Sequence, residues 1–186
     1  MSLAEAQRIQ RHRLIAYRDS APHLLAGLPL SGRTIDPADV ASSVFYIDNG
    51  GEIIASVRYV NRLDHRCPQF DLQSFGAVCQ EIDDGAIEIA RLFVSSPYRG
   101  TEVVDKLLAV SSAQINTEHP ANAGWFAVSA APLARVFAQK YAGTLSSRKF
   151  HLTRRDGSSA PYLMVSGSLS AVADCAHHRL VSAQHR

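Results

Sequence analysis

An α+β domain with a mixed sheet flanked by helices is predicted from three features of the sequence. Two β-rich runs flank Asn49-Gly50-Gly51, strand-like apolar runs alternate with helical periodicity through the middle, and two more β-rich runs flank Asp156-Gly157. The resulting order is helix, hairpin, strand, helix, strand, helix, hairpin. It places strand–helix–strand crossovers at the centre of the chain.

Taken in order, Leu3, Ala6, Ile9, Leu14 and Tyr17 recur at roughly helical spacing and predict a first helix from about 3 to 17. A loop rich in Gly and Pro follows, long enough to suspect a role in function. "SVFYIDNGGEIIASVRYV" predicts an antiparallel hairpin, since Asn-Gly between β-rich runs is the strongest short-range hairpin signal. Residues 61–87 read as a loop with a short helix near 70–78, and "AIEIARLFV" as a buried strand. "TEVVDKLLAVSSAQI" is a helix with Thr101 as a possible N-cap. "GWFAVSA" is a strand, and "PLARVFAQKYAG" is a helix with Pro132 near its start and Gly143 past its end. A single domain is expected over 1–170, with 171–186 a polar tail or small helix.

Composition narrows the function classes. A chain of 186 residues suits one hydrophobic core. Its formal net charge of +2 is too small to argue for nucleic acid. No apolar run reaches the roughly 18 residues of a membrane-spanning helix, and the first residues lack a signal peptide's apolar centre. Cys67, Cys79 and Cys175 are odd in number and have no CxxC spacing, which fits a reduced cytoplasmic protein. "DHRC" and "CAHH" find no partner at zinc-site spacing, so no metal is expected. Ser111, Ser112 and Ser129 have no His/Asp constellation to activate them.

The strand at 87–94 raises the functional question. Glu88 and Arg91 sit within an apolar run, and a buried charge is costly unless it is paired. Three positions apart, they point to opposite faces of a regular strand unless a bulge intervenes. Beyond the strand, a turn leads into a helix start, whose free N–H groups suit a phosphate.

"RLFVSSPYRGTEVVDKLL" resembles the acyl-carrier-binding motif of the GNAT acyltransferase superfamily at Val94, Tyr98-Arg99-Gly100 and Leu107-Leu108. Glu102 and Val104 stand where that motif has two later glycines. From about Arg13 to Gly143 the chain also resembles the acyl-homoserine-lactone synthases and the long-chain N-acyl amino acid synthases. The resemblance rests on Arg13 and Tyr17 in the first helix, Asp36 and Asp39 in the loop, Arg58 on the hairpin, Phe75, and Glu88 with Arg91 as E-x-x-R. It departs from the lactone synthases at an early tryptophan, because the sole tryptophan here is Trp125. That weakens S-adenosylmethionine as acceptor and makes an amino acid or other amine competitive.

The resemblance implies a GNAT-like mixed sheet whose central strands splay apart near Val94 and Ser129. It also implies an N-acyltransferase that moves a fatty acyl group from an acyl-carrier-protein thioester to a small amine, with acyl-phosphopantetheine as co-substrate and no tightly bound cofactor. In that scheme Glu88 is the base, Arg58 and Arg91 position it or the substrate, and amides near Phe93 and Val94 hold the oxyanion. Arg13, Tyr17, Asp36, Asp39 and Phe75 bind the acceptor side, while Val94, Arg99, Gly100 and Ser129 meet the donor arm. The acyl chain is expected among Phe126, Leu133, Val136 and Phe137. A basic set of Arg99, Lys106, Arg148 and Lys149 suits an acidic carrier protein. An acetyl-coenzyme A N-acetyltransferase and a non-catalytic module of the same fold are the alternatives.

Overall fold

Helix α1 (Leu3–Ser20) is closed at its start by a reciprocal capping box. The Ser2 hydroxyl accepts the Glu5 N–H at 3.2 Å, and the Glu5 carboxylate accepts the Ser2 N–H at 2.7 Å. The Tyr46 hydroxyl donates to the same carboxylate at 2.8 Å. Hydrogen bonds from the Ser2 backbone and side chain, then Tyr46, pull the Glu5 carboxyl down to about 2. Arg8 pairs with Asp48 and donates to the Gly51 carbonyl at 2.9 Å. The helix is thus pinned along the hairpin. The computed structural model describes residues 2–20, 39, 42–61, 86–119, 124–153 and 159–185.

That hairpin is β1 (Ser43–Asn49) and β2 (Glu52–Asn61). Gly50 and Gly51 at its tip both have positive φ, +63° and +92°, as a type I′ turn requires. β3 (Ile87–Val94) pairs antiparallel with β2 and leads through a short 3₁₀ turn at Ser96–Tyr98 into α2 (Val103–Glu118). Then follow β4 (Gly124–Ala130), α3 (Ala131–Lys140), β5 (Thr144–Thr153), β6 (Ser159–Ser168) and α4 (Leu169–Gln184). Among the described residues six strands lie in the order β1-β2-β3-β4-β6-β5, with β3/β4 their one parallel pair. A mixed sheet flanked by helices is the expected class.

Two apolar layers sandwich the sheet. On one face Ile9 and Ala16 of α1 pack against Ile53 and Phe93. On the other, α2, α3 and α4 bury Leu108, Ile115, Phe137, Leu169 and Val172 against Val57, Ile87, Trp125 and Val165. Within this layer the Tyr59 hydroxyl meets Ser111 and Ser112, each at 2.8 Å, so both serines are structural.

Three boundaries differ from the sequence reading. The stretch from 171 on, read as a polar tail or small helix, continues a 16-residue helix that packs on α2, with Leu169, Val172 and Ala176 fully buried. Alanine at 176 weakens its apolar stripe in the sequence. α2 begins after Glu102 rather than Thr101, although Thr101 Oγ1 still accepts the Val103 N–H at 3.4 Å. β5 starts at Thr144, with an irregularity between Leu145 and Lys149 that hides the pairing in the sequence. The helix expected near 70–78 and the Asp156-Gly157 turn lie outside the described residues.

α3 ends in a Schellman-type turn, in which the Gly143 N–H reaches the Ala138 carbonyl at 3.1 Å. Ala142 sits there with φ +52°, a conformation costly for any residue with a Cβ. Ala142→Gly is therefore expected to stabilise the fold by about 0.5–1 kcal/mol, read as a higher urea midpoint. Gly143→Ala should do the opposite by about 1–3 kcal/mol, because its Cβ would lie 2.7 Å from Val165 Cγ2.

Candidate active site

The centre of the sheet opens. β3 and β4 pair at only two positions, Ile87 with Trp125 and Glu88 with Phe126. Beyond these β3 runs on to Val94 bonded to β2, and β4 runs on to Ala130 bonded to β6. The parallel strands thus diverge toward their C-terminal ends, the splay the resemblance implies.

A bulge accompanies the splay. Arg58 faces Ala90 but Ser56 faces Phe93, so β3 carries one extra residue opposite Val57. Arg91 lies in this stretch with φ +52°, a left-handed conformation rare for a non-glycine residue. Before the bulge Ile87 and Ile89 face α2. After it Leu92 and Val94 do, and Phe93 turns to α1. The condition set by the odd spacing of Glu88 and Arg91 is met.

The bulge also sets which amide looks into the gap. The Ser95 N–H bonds the Ile54 carbonyl at 2.8 Å, so the adjoining pair, Val94 with Ala55, is a non-hydrogen-bonded one. The Val94 N–H and C=O point away from β2, toward the side β4 has left. Arg99, expected at the donor arm, donates Nε to that Val94 carbonyl at 3.2 Å and is exposed. The Phe93 amide is turned toward β2 instead.

On the α1 face Arg13, Asp39 and Arg58 come together. Arg13 Nη1 donates to both Asp39 oxygens at 2.8 and 2.7 Å, and Arg58 Nη1 donates to Asp39 Oδ1 at 3.1 Å. Arg13 and Arg58 are 0% exposed and Asp39 1%. Glu88 lies diagonally across from Arg58 on the same face, and both it and Arg91 are buried. Tyr17, one turn beyond Arg13 on α1, is buried as well. Arg13 Nε and Nη2 have no hydrogen-bond partner among the described residues. Asp36 and Phe75 lie outside those residues.

On the opposite face a cleft of about 610 Å³ lies among the start of α2, α3 and α4. Leu133, Val136 and Phe137 give it an apolar wall, continued by Leu92 and Val104. Phe126, grouped with them from sequence, is on the other side of the sheet, because its neighbours Trp125 and Ala127 face α2. Gly100, with φ +78°, lines the cleft mouth. Ser129 shares the face of Trp125 and Ala127 and is half-buried.

Sequence reasoning missed the cleft's far end. There Tyr141 donates its hydroxyl to Asp105 at 2.8 Å, and Arg179 donates Nε to the same carboxylate at 3.1 Å. Burial, then the bond to Asp105, pushes the Tyr141 hydroxyl well above its usual range. Reading Leu169, Val172 and Ala176 as one helical face would have brought His178 and Arg179 here.

Known proteins were compared with this architecture. No protein-family model matches the sequence, and no curated protein matches it significantly. Solved structures do match. The CoA-dependent acyl-homoserine lactone synthase BjaI with MTA aligns at TM-score 0.67 and 14% identity, covering 94% of this chain and 80% of its own. The CoA-dependent acyl-homoserine lactone synthase MesI aligns at 0.62 and 15% identity, over 91% and 85%. The polyamine N-acetyltransferase of Drosophila melanogaster aligns at 0.64 and 11%, over 90% and 97%. The chain has the GNAT acyltransferase fold. In this GNAT-fold domain the splayed strands, the bulge and the cleft all sit at the C-terminal ends of β3 and β4.

The buried ion cluster generates a stability prediction. Asp39→Ala leaves Arg13 and Arg58 without the carboxylate they share, and removing one member of a buried ion network costs about 3–5 kcal/mol. Urea unfolding should register a loss of that size. A change below about 1 kcal/mol would mean that Asp39 does not hold α1 to β2.

Proposed function

We propose that this GNAT-fold domain is an N-acyltransferase that moves an acyl group from a phosphopantetheine thioester to a small amine bearing a carboxylate. The observation that carries the reading is the parting of β3 and β4 directly after Glu88 and Phe126. It joins an apolar cleft on one face to a buried arginine-rich cluster on the other. A thioester arm enters along Leu133, Val136 and Ser129, and its carbonyl oxygen meets the Val94 N–H, with Gly100 at the mouth. A backbone donor fixed before reaction stabilises the oxyanion as it forms.

Glu88, at the fork of the split, accepts the proton the amine loses as nitrogen attacks the thioester carbon. The new C–N bond forms, the C–S bond breaks and the thiolate leaves. Arg58 and Arg91 position Glu88. Arg13 has a guanidinium edge with no partner among the described residues, and such an edge fits a carboxylate in two-pronged fashion. Tyr17, Asp36, Asp39 and Phe75 complete this side in the proposal. Glu88→Gln should retain the fold and lose about 10²–10⁴ in turnover, measured by product mass spectrometry alongside thermal melting. Turnover near that of the unmodified chain would remove Glu88 from the chemistry.

Acyl-carrier protein is the preferred donor. Glu102 at the α2 N-terminus places a negative charge where a nucleotide's phosphates would approach, and exposed Arg99, Lys106 and Lys149 suit an acidic carrier. Acyl-coenzyme A is the second reading, favoured by the CoA-dependent synthases of the same fold. Steady-state assays with both donors, over a panel of amino acids and S-adenosylmethionine, are expected to give the higher kcat/KM for the carrier-bound acyl group and an open-chain product. A higher kcat/KM for acyl-coenzyme A reverses the donor assignment, and a lactone product reverses the acceptor. No product with any pair leaves a non-catalytic module.

A further inference from the structure

The start of α2 is an unfavourable place for a phosphate. A helix N-terminus attracts anions through its free N–H groups and positive dipole end. Here Glu102 stands at the N-cap and Asp105 in the first turn, and both line the cleft. Both acids are already paired: Glu102 with Lys106 at 3.3 Å, and Asp105 with Arg179 and Tyr141.

The basic groups of the cleft gather beside Asp105, on the side of α3 and α4. Lys140 closes α3, and His178 and Arg179 come from α4. Lys140 and His178 make no ion pair or hydrogen bond among the described residues. Arg179 uses Nε for Asp105, which holds the side chain in place, while its two terminal nitrogens make no hydrogen bond there. Along α3, Leu133, Val136, Phe137 and Lys140 are spaced to share one face, and from Leu133 to Lys140 the helix rises about 10 Å. The cleft therefore runs from an apolar end beside the β3/β4 split to a cationic end between α3 and α4.

We propose that this cationic end is the phosphate seat of the acyl donor. Lys140, His178 and Arg179 hold the phosphate of the phosphopantetheine arm, in place of the N-terminus of α2. The assignment rests on the acyl-thioester reading above. It adds that α4, the C-terminal helix, is part of the donor site. The same phosphate occurs on a carrier protein's prosthetic arm and within coenzyme A, and both sources meet the same three side chains.

The test is calorimetric titration of the full chain and of Lys140→Ala and His178→Gln, both at exposed positions, with pantetheine, 4′-phosphopantetheine and coenzyme A. The unmodified chain is expected to bind 4′-phosphopantetheine more tightly than pantetheine. Lys140→Ala should weaken 4′-phosphopantetheine about 10- to 100-fold, as loss of a charge-assisted bond does, and leave pantetheine unchanged. Lys140→Arg should restore most of the affinity. Acyl-carrier protein and acyl-coenzyme A then separate the sources: a rise in KM for both marks the shared phosphate, and a rise for coenzyme A alone overturns the seat on the carrier arm. Equal affinity of the unmodified chain for pantetheine and 4′-phosphopantetheine, with acyl transfer intact, overturns the phosphate seat but leaves the enzyme reading standing. Failure to bind any of the three probes, together with absence of transfer, overturns both.

Discussion

One extra residue in β3 governs the centre of this molecule. Opposite Val57 the strand accommodates it by turning Arg91 into the left-handed region, a conformation that costs a non-glycine residue on the order of 1–2 kcal/mol. The shift keeps apolar residues facing the core on both sides of the bulge: Ile87 and Ile89 before it, Leu92 and Val94 after it. It also brings Phe93 round to α1. β3 thus remains bonded to β2 along most of its length and parts from β4 after Glu88. A sheet that forgoes backbone bonds at its middle leaves amide and carbonyl groups needing other partners. The Val94 carbonyl takes Arg99, and the Val94 amide is turned toward the same gap.

The charges around that gap are arranged at a cost to stability. Arg13, Asp39 and Arg58 are fully buried, and a buried ion network of this kind is often no more stable than apolar residues of equal volume. Among the described residues Arg13 Nε and Nη2 find no hydrogen-bond partner, which adds a desolvation cost. The capping box with Tyr46 and the Arg8–Asp48 pair already fasten the helix to the hairpin from the solvent side. In the proposed reading the Arg13 edge beside the mid-sheet opening serves an anionic acceptor rather than the fold.

Local chemistry decided how much of this was legible in the sequence. Asn49-Gly50-Gly51 specifies its turn through backbone conformation alone, so the hairpin follows directly, whereas the register shift between Ile47 and Asp48 does not. The bulge was legible only as a condition, since Glu88 and Arg91 at odd spacing demand either opposite faces or an extra residue. Which amide faces the gap was not legible, because it depends on the β2 register on the far side of the bulge. Phe126 was misassigned for a related reason: β4 has both faces buried, and a continuous apolar run carries no period to say which face is which. The C-terminal helix was underread because only Leu169, Val172 and Ala176 mark its buried face, and alanine at 176 weakens that apolar stripe.

That last helix changes how the cleft is assembled. In a domain that ended at β6, the cleft would be bounded by α2 and α3 alone, and Asp105 would lack its arginine partner. Glu102 and Asp105 are acids at a helix start, where they favour the helix dipole and oppose an incoming anion. α4 answers this by supplying Arg179, which neutralises Asp105 and is itself held by that contact. Tyr141, donating to the same carboxylate, ties the end of α3 into the arrangement. Three helices distant in sequence thus converge on one carboxylate. Asp105 acts as the keystone of the cleft rather than as a reactive group, and the geometry of the cations around it depends on that charge remaining paired.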